Sequence, residues 1–262
     1  MGEIRSFYEG FASGFIDDYI RGNERVQKQC QFFSRIIPEG AAKILVLGCG
    51  SGETAFYVAS KVAPHAYVMA VDISSAAIRI ANVLFRHDRI EYRQADVTEQ
   101  TFGENWDVVI LPDVYEHIPR DGRKTLHSRL DRLLATRGTL LLTVPSPAKQ
   151  VSLRRSGKGL QLVDETVTLA DMNELAHAVH GTLTYFNLIS VWERNDYIHA
   201  AIQRGADESG PIDPVDRVPI KGWPRRTLSI RGREFLLYHL RFFRLLEFTR
   251  RWRVRRRLPR GQ

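Results

Sequence analysis

Residues 44–52 read Ile-Leu-Val-Leu-Gly-Cys-Gly-Ser-Gly, an apolar run that breaks into three alternate glycines. Consecutive aliphatic residues suit a strand buried on both faces, and residues 53–59 read as a helix. The glycines between them suit a turn with unusual dihedrals or close approach to a ligand. A buried strand turning tightly into a helix confines the chain to α/β architectures. Amides at such a helix start present donors to a polar or anionic group. Taken alone, a Gly-x-Gly-x-Gly stretch also occurs in tight turns that bind nothing.

The segments downstream repeat the same theme. A second apolar strand, 66–71, ends on Asp72, twenty positions after Gly52. A third, 90–93, leads into Gln94-Ala95-Asp96-Val97, and a fourth, 107–111, runs into Pro112-Asp113-Val114-Tyr115-Glu116-His117-Ile118-Pro119. Ser74 or Ser75 suits the cap of the second helix, and another helix is expected from about Arg120 to Ala135, before a strand over 139–144. Two further strands, 182–192 and 197–203, flank a hairpin turn at 193–196. Strands alternating with helices imply a parallel sheet covered on both faces, and open sheets of this kind bind ligands beyond the carboxyl ends of their strands.

In these motifs the sequence resembles the class I S-adenosylmethionine-dependent methyltransferases, over about residues 40–145. The resemblance implies a Rossmann-like three-layer sandwich whose seven-stranded, mostly parallel sheet is closed by an antiparallel strand pair. It further implies S-adenosylmethionine as cofactor. Gly48, Gly50 and Gly52 would face its methionine part, Asp72 would hold its ribose, Asp96 and Val97 would lie beside its adenine, and Cys49 and Ile73 would also contact the cofactor. Leu111 to His117 would border the transferable methyl, with Tyr115 on the substrate side. Val46 stands where the family usually has an acid, two positions before the first glycine. Family members carry an N-terminal helical segment over the cofactor. On that pattern Tyr8 and Tyr19 are expected in the substrate pocket wall and Arg25 at the cofactor carboxylate.

His117 suits a general base, because imidazole titrates close to neutrality, and Asp113 or Glu116 suits its partner. The stretch Leu111-Pro112-Asp113-Val114 lacks the Asn/Asp-Pro-Pro-Tyr/Phe motif of base-amino methyltransferases. Resemblance to small-molecule methyltransferases with a His at the end of the fourth strand, together with the aromatic N-terminal segment, implies a hydroxyl on a sugar, glycolipid or secondary metabolite as acceptor. An RNA methyltransferase using a basic tail, or a non-catalytic cofactor-binding scaffold, is the alternative. No metal is expected, since the available acids lack a ligand spacing. Cys30 and Cys49 make neither a disulfide framework nor a zinc set.

The formal charge of +8 belongs to one end of the 262 residues. Residues 225–262 hold thirteen arginines and two glutamates, a net of +11. Four parts are expected: an N-terminal helical cap (1–38), the cofactor-binding domain (39–204), a Pro/Gly-containing linker (205–224) and an Arg-rich amphipathic helical tail (225–262). Within the second, 146–162 reads as a basic loop, either a substrate lid or a solvated connection. With no long uncharged apolar run and no leader pattern, a cytoplasmic protein is expected. The aromatic and basic tail suits docking on an anionic surface such as the inner face of the membrane, or packing on its own domain.

Overall fold

Alternation within the first strand decides the layering. In β1 (Lys43–Leu47), Leu45 and Leu47 join one buried cluster while Ile44 and Val46 join another on the opposite face. This is what period-two side-chain alternation requires of a strand covered on both sides. The computed structural model describes residues 2–157, 159–205 and 242–258. The remaining strands are β2 (Tyr67–Asp72), β3 (Ile90–Gln94), β4 (Trp106–Pro112), β5 (Leu134–Pro145), β6 (Gly181–Ile189) and β7 (Tyr197–Arg204). Their order in the sheet is β3-β2-β1-β4-β5-β7-β6. The first five are parallel, and β7 runs antiparallel to both β5 and β6. The expected Rossmann-like sandwich is therefore the observed fold.

The helices are α1 (Gly2–Arg21), α2 (Glu24–Ile36), α3 (Glu53–Tyr57), α4 (Ser75–Leu84), α5 (Arg123–Leu133), α6 (Pro147–Ser156), α7 (Leu169–Ala178) and α8 (Phe242–Arg257). Leu126 and Leu130 of α5 and Met172 and Leu175 of α7 pack on the Leu45 face, and Phe32 and Phe33 of α2 on the Ile44 face. A third cluster joins Tyr19 of α1 to Ile80 and Leu84 of α4, with Val254 and Leu258 from α8 and its end against them. The basic helix is thus packed on its own domain. Arg250 Nη1 donates to the Tyr19 carbonyl at 3.1 Å, Arg253 to the Tyr19 hydroxyl at 3.0 Å, and Arg257 to the Leu84 carbonyl at 2.9 Å.

Several boundaries differ from expectation. The helix after the glycines lasts only five residues before a π-turn at Val58–Val62. The helix expected from Arg120 opens as a 3-10 turn (Arg120–Gly122), and β5 takes up its last turn from Leu134. The basic stretch expected as a loop is mostly α6. Its start is set by Ser146, whose side chain accepts from the Lys149 amide, with a proline in the first turn, and its end by Gly157 at φ 63°. The proposed linker and the first part of the tail, 206–241, lie outside the described residues.

Candidate functional site

β1 connects to β2 on one side and lies beside β4 on the other, so the chain reverses direction between β1 and β4 and a crevice opens beyond their carboxyl ends. A cavity of about 810 Å³ fills it, within the usual range for small-molecule sites. Gly48, Cys49, Gly50, Asp72, Ile73, Asp96, Val97, Asp113, His117, Arg25, Tyr8 and Tyr19 all line it, as the sequence led one to expect. Three of the expected site residues do not. Leu111, in β4, is fully buried in the cluster on the Leu45 face. Tyr115 begins the 3-10 turn Tyr115–His117 and points into the core, its hydroxyl 2.8 Å from His127 Nε2 and its ring under Arg123. Gly52, at φ 89°, serves packing: a Cβ there would lie 2.8 Å from the Tyr92 ring and 2.9 Å from Ala81 Cβ.

The glycine loop offers space more than donors. Gly48 and Cys49 both donate to the Val71 carbonyl at 2.8 Å, Gly52 to the Cys49 carbonyl at 2.9 Å, and Gly50 to Asp72 Oδ2 at 2.8 Å. The loop amides of Gly48, Cys49, Gly50 and Gly52 are thus engaged within the chain, whereas the first turn of α3 has no side-chain cap. Asp72 also accepts from the Ser74 amide at 2.9 Å, which leaves each carboxylate oxygen a lone pair for a hydroxyl. Burial raises its pKa against those amides. Asp96 turns one oxygen to the Thr98 amide and hydroxyl, at 2.8 and 2.6 Å. Burial pushes the Cys49 thiol far up, so it stays protonated and is a small filler rather than a nucleophile.

A lid of α1 closes this end. Phe15 lies where a Cβ on Gly50 would meet its ring at 3.4 Å. Glu9 reaches the start of α4, accepting from the Ser75 and Ala76 amides at 2.6 and 2.9 Å. Burial alone would raise the Glu9 carboxyl, but the Ala76 and Ser75 donors outweigh it and hold it low. Glu9 was not anticipated, since nothing in the sequence links residues so far apart.

At the other end, β4 delivers Asp113 in a left-handed conformation, φ 56°. Its carboxylate is paired with Arg25 Nη1 and accepts from Gln29 Nε2 at 2.7 Å. Arg25 is therefore committed largely to Asp113, and its buried Nε lacks a hydrogen-bond partner among the described residues. His117 Nδ1 is 2.8 Å from the Val163 carbonyl and 3.4 Å from Asp164 Oδ1. An acceptor at Nδ1 fixes that nitrogen as the N–H and leaves the lone pair on Nε2. Burial lowers the His117 pKa. Glu116, 1% exposed, sits with Oε1 3.8 Å from Nε2 and Oε2 unpartnered. Burial, then the Asp113 charge, pushes its carboxyl well above the usual range. Among the described residues no group of three or more His, Cys, Asp or Glu is arranged to hold a metal ion.

Residues 44–138 match a family described as a methyltransferase domain. An uncharacterized methyltransferase of Mycobacterium tuberculosis is 31% identical over 115 residues, 43% of this chain and 56% of the relative, so the chain spans about half the length of the curated relatives it matches. Two solved structures share the fold. DhpI in complex with SAH has a TM-score of 0.60 at 18% identity, over 78% of this chain and 96% of that one. Magnesium protoporphyrin IX methyltransferase (ChlM) from Synechocystis PCC 6803, with bound SAH, has a TM-score of 0.60 at 19% identity, over 78% and 99%.

Proposed function

We propose that this chain is an S-adenosylmethionine-dependent methyltransferase of the class I fold, which methylates a hydroxyl on a sugar, glycolipid or secondary metabolite with His117 as general base. The observation that carries the reading is the continuity of one cavity from the glycine loop, past Asp72 and Asp96, to an imidazole whose Nδ1 is held by the Val163 carbonyl. The residues fit the cofactor: glycine backbone at the walls, a carboxylate with spare lone pairs for a ribose, and Asp96 beside the position of a base. When bound, S-adenosylmethionine supplies a methyl group already activated on sulfonium.

The chain's own part is alignment and proton transfer. Holding a hydroxyl in line can account for roughly 7–11 kcal/mol of barrier. His117 Nε2 would take the proton of the hydroxyl that receives the methyl group. The resulting imidazolium keeps its Nδ1–H on the Val163 carbonyl with Asp164 Oδ1 at 3.4 Å to balance the charge. Asp113, held by Arg25 and Gln29, and the buried carboxyl of Glu116 line the cavity beside the ring. Incubating the protein with methyl-labelled S-adenosylmethionine and pools of hydroxylated glycosides tests the assignment. Label in alkali-stable methyl ethers is expected; label confined to RNA, or to esters and amines, would overturn it.

The α8 helix supports a place for the enzyme at an anionic surface. No helix among the described residues is long and apolar enough to cross a membrane. While Val254 faces the domain, Phe248 and Trp252 lie one turn apart and 65% and 54% exposed, beside exposed Arg255 and Arg256. Aromatic rings with arginines suit a lipid headgroup layer, where each basic residue contributes about 1 kcal/mol. Co-sedimentation with phosphatidylserine vesicles should exceed that with phosphatidylcholine. The double substitution Phe248→Ser/Trp252→Ser should abolish it with an unchanged melting temperature. Equal sedimentation of wild type and variant would contradict the docking.

A further inference from the structure

The cavity continues past His117. Its outer wall runs through Val163, Leu162 and Leu153 to Trp192, and this end opens on apolar side chains that water reaches: Trp192 is 56% and Leu162 47% exposed. Leu160 on the same strip and Val151 on α6 are exposed as well. Scattered surface hydrophobics need no explanation, but exposed apolar side chains that themselves line the cavity, as Leu162 and Trp192 do, call for one.

Both sides of this opening are held in place. Asp196 accepts from the amides of Val191, Trp192 and Glu193 at 2.7, 3.0 and 3.0 Å, fixing the turn that carries the indole. The ring itself packs edge-on against Tyr197, 5.9 Å between centroids. On the other side, the strip bearing Leu162 is tied to α1 by the Tyr8 hydroxyl on Gln161 Oε1 at 2.6 Å, and to the base through Val163. The anchors that position His117 therefore also position Leu162. A small polar acceptor would leave this exit empty of contacts, whereas an alkyl or prenyl chain would bury it.

Resting on the methyltransferase reading, we infer that the acceptor is an amphiphile: its hydroxylated head reaches His117 and its linear apolar chain leaves between Leu162 and Trp192. The two exit residues then set specificity by chain length. Burying one methylene is worth about 0.8 kcal/mol, or about fourfold in affinity.

Calorimetry of the full chain with hexyl, heptyl and octyl β-glucosides below their micelle concentrations, with and without S-adenosylhomocysteine, tests this. The dissociation constant should fall about fourfold per added methylene. In Leu162→Ser/Trp192→Ser that dependence should flatten, while Phe248→Ser/Trp252→Ser, which alters only the α8 face, should retain it. Absence of glucoside binding, no dependence on chain length, or an unchanged dependence in the exit variant would each overturn the inference. Failure of S-adenosylhomocysteine to bind, with the chain-length dependence intact, would instead remove the methyltransferase reading and leave an amphiphile site.

Discussion

Replacing His117 with alanine is expected to lower methyl transfer by about 10²-fold to 10⁴-fold, the usual contribution of a positioned base. Affinity for S-adenosylhomocysteine should stay nearly unchanged, because Asp72 at the end of β2 and Asp96 past β3, the residues proposed for the ribose and adenine, line other parts of the cavity. The pH profile gives a second readout. A base works only when neutral, and burial lowers the His117 pKa, so the imidazole is already deprotonated at pH 7. Activity should be flat around neutrality and fall only on acidification through a value below the ordinary 6.5 of histidine. The variant should lose that acid limb. Full turnover in the variant, or an acid limb that survives the substitution, would remove His117 as the base.

The second large effect is expected at Gly48. Its φ of 77° lies in the left-handed region, and an added Cβ would fall 2.2 Å from Val114 Cγ2. Left-handed backbone costs a residue with a Cβ about 1–2 kcal/mol, and overpacking a further 1–3 kcal/mol. Gly48→Ala should therefore lower the melting temperature by roughly 5–15 °C. The displaced side chain of Val114 adjoins Asp113 and lines the same cavity, so cofactor affinity should fall at least tenfold, about 1.4 kcal/mol. Wild-type melting and affinity in this variant would show that the loop tolerates rearrangement and that the close approach described here is not required.

What the sequence made legible is whatever strand ends dictate. Alternating strands and helices implied a parallel sheet, so the residues just past β1, β2, β3 and β4 gather at one edge. Asp72, Asp96, Asp113 and His117 were placed there by that, and their roles by the resemblance. Tyr115 did not, because a 3-10 turn separates neighbours: it directs Tyr115 inward and Glu116 and His117 to the cavity. The helix α6 was misread although its signals, Ser146-Pro147 at the start and Gly157 at the end, stand in the sequence. Basic composition obscured them. Glu9 on α4, Tyr8 on Gln161 and Asp164 on His117 were beyond reach, since each joins segments that only the tertiary fold brings together. The same holds for the docking of α8 on Tyr19, where the arginines serve as hydrogen-bond donors to the domain as well as surface charge.

The most direct test of the central claim is a calorimetric titration of the purified chain with S-adenosylmethionine, S-adenosylhomocysteine and NAD, with Asp72→Ala alongside. Binding of both sulfur compounds at micromolar levels is predicted, with no binding of NAD and loss of both in the variant, whose side chain no longer accepts from Gly50 and Ser74 or offers oxygens to a ribose. Failure of either sulfur compound to bind the wild-type chain would contradict the account and leave the glycine loop a turn that serves only the sheet.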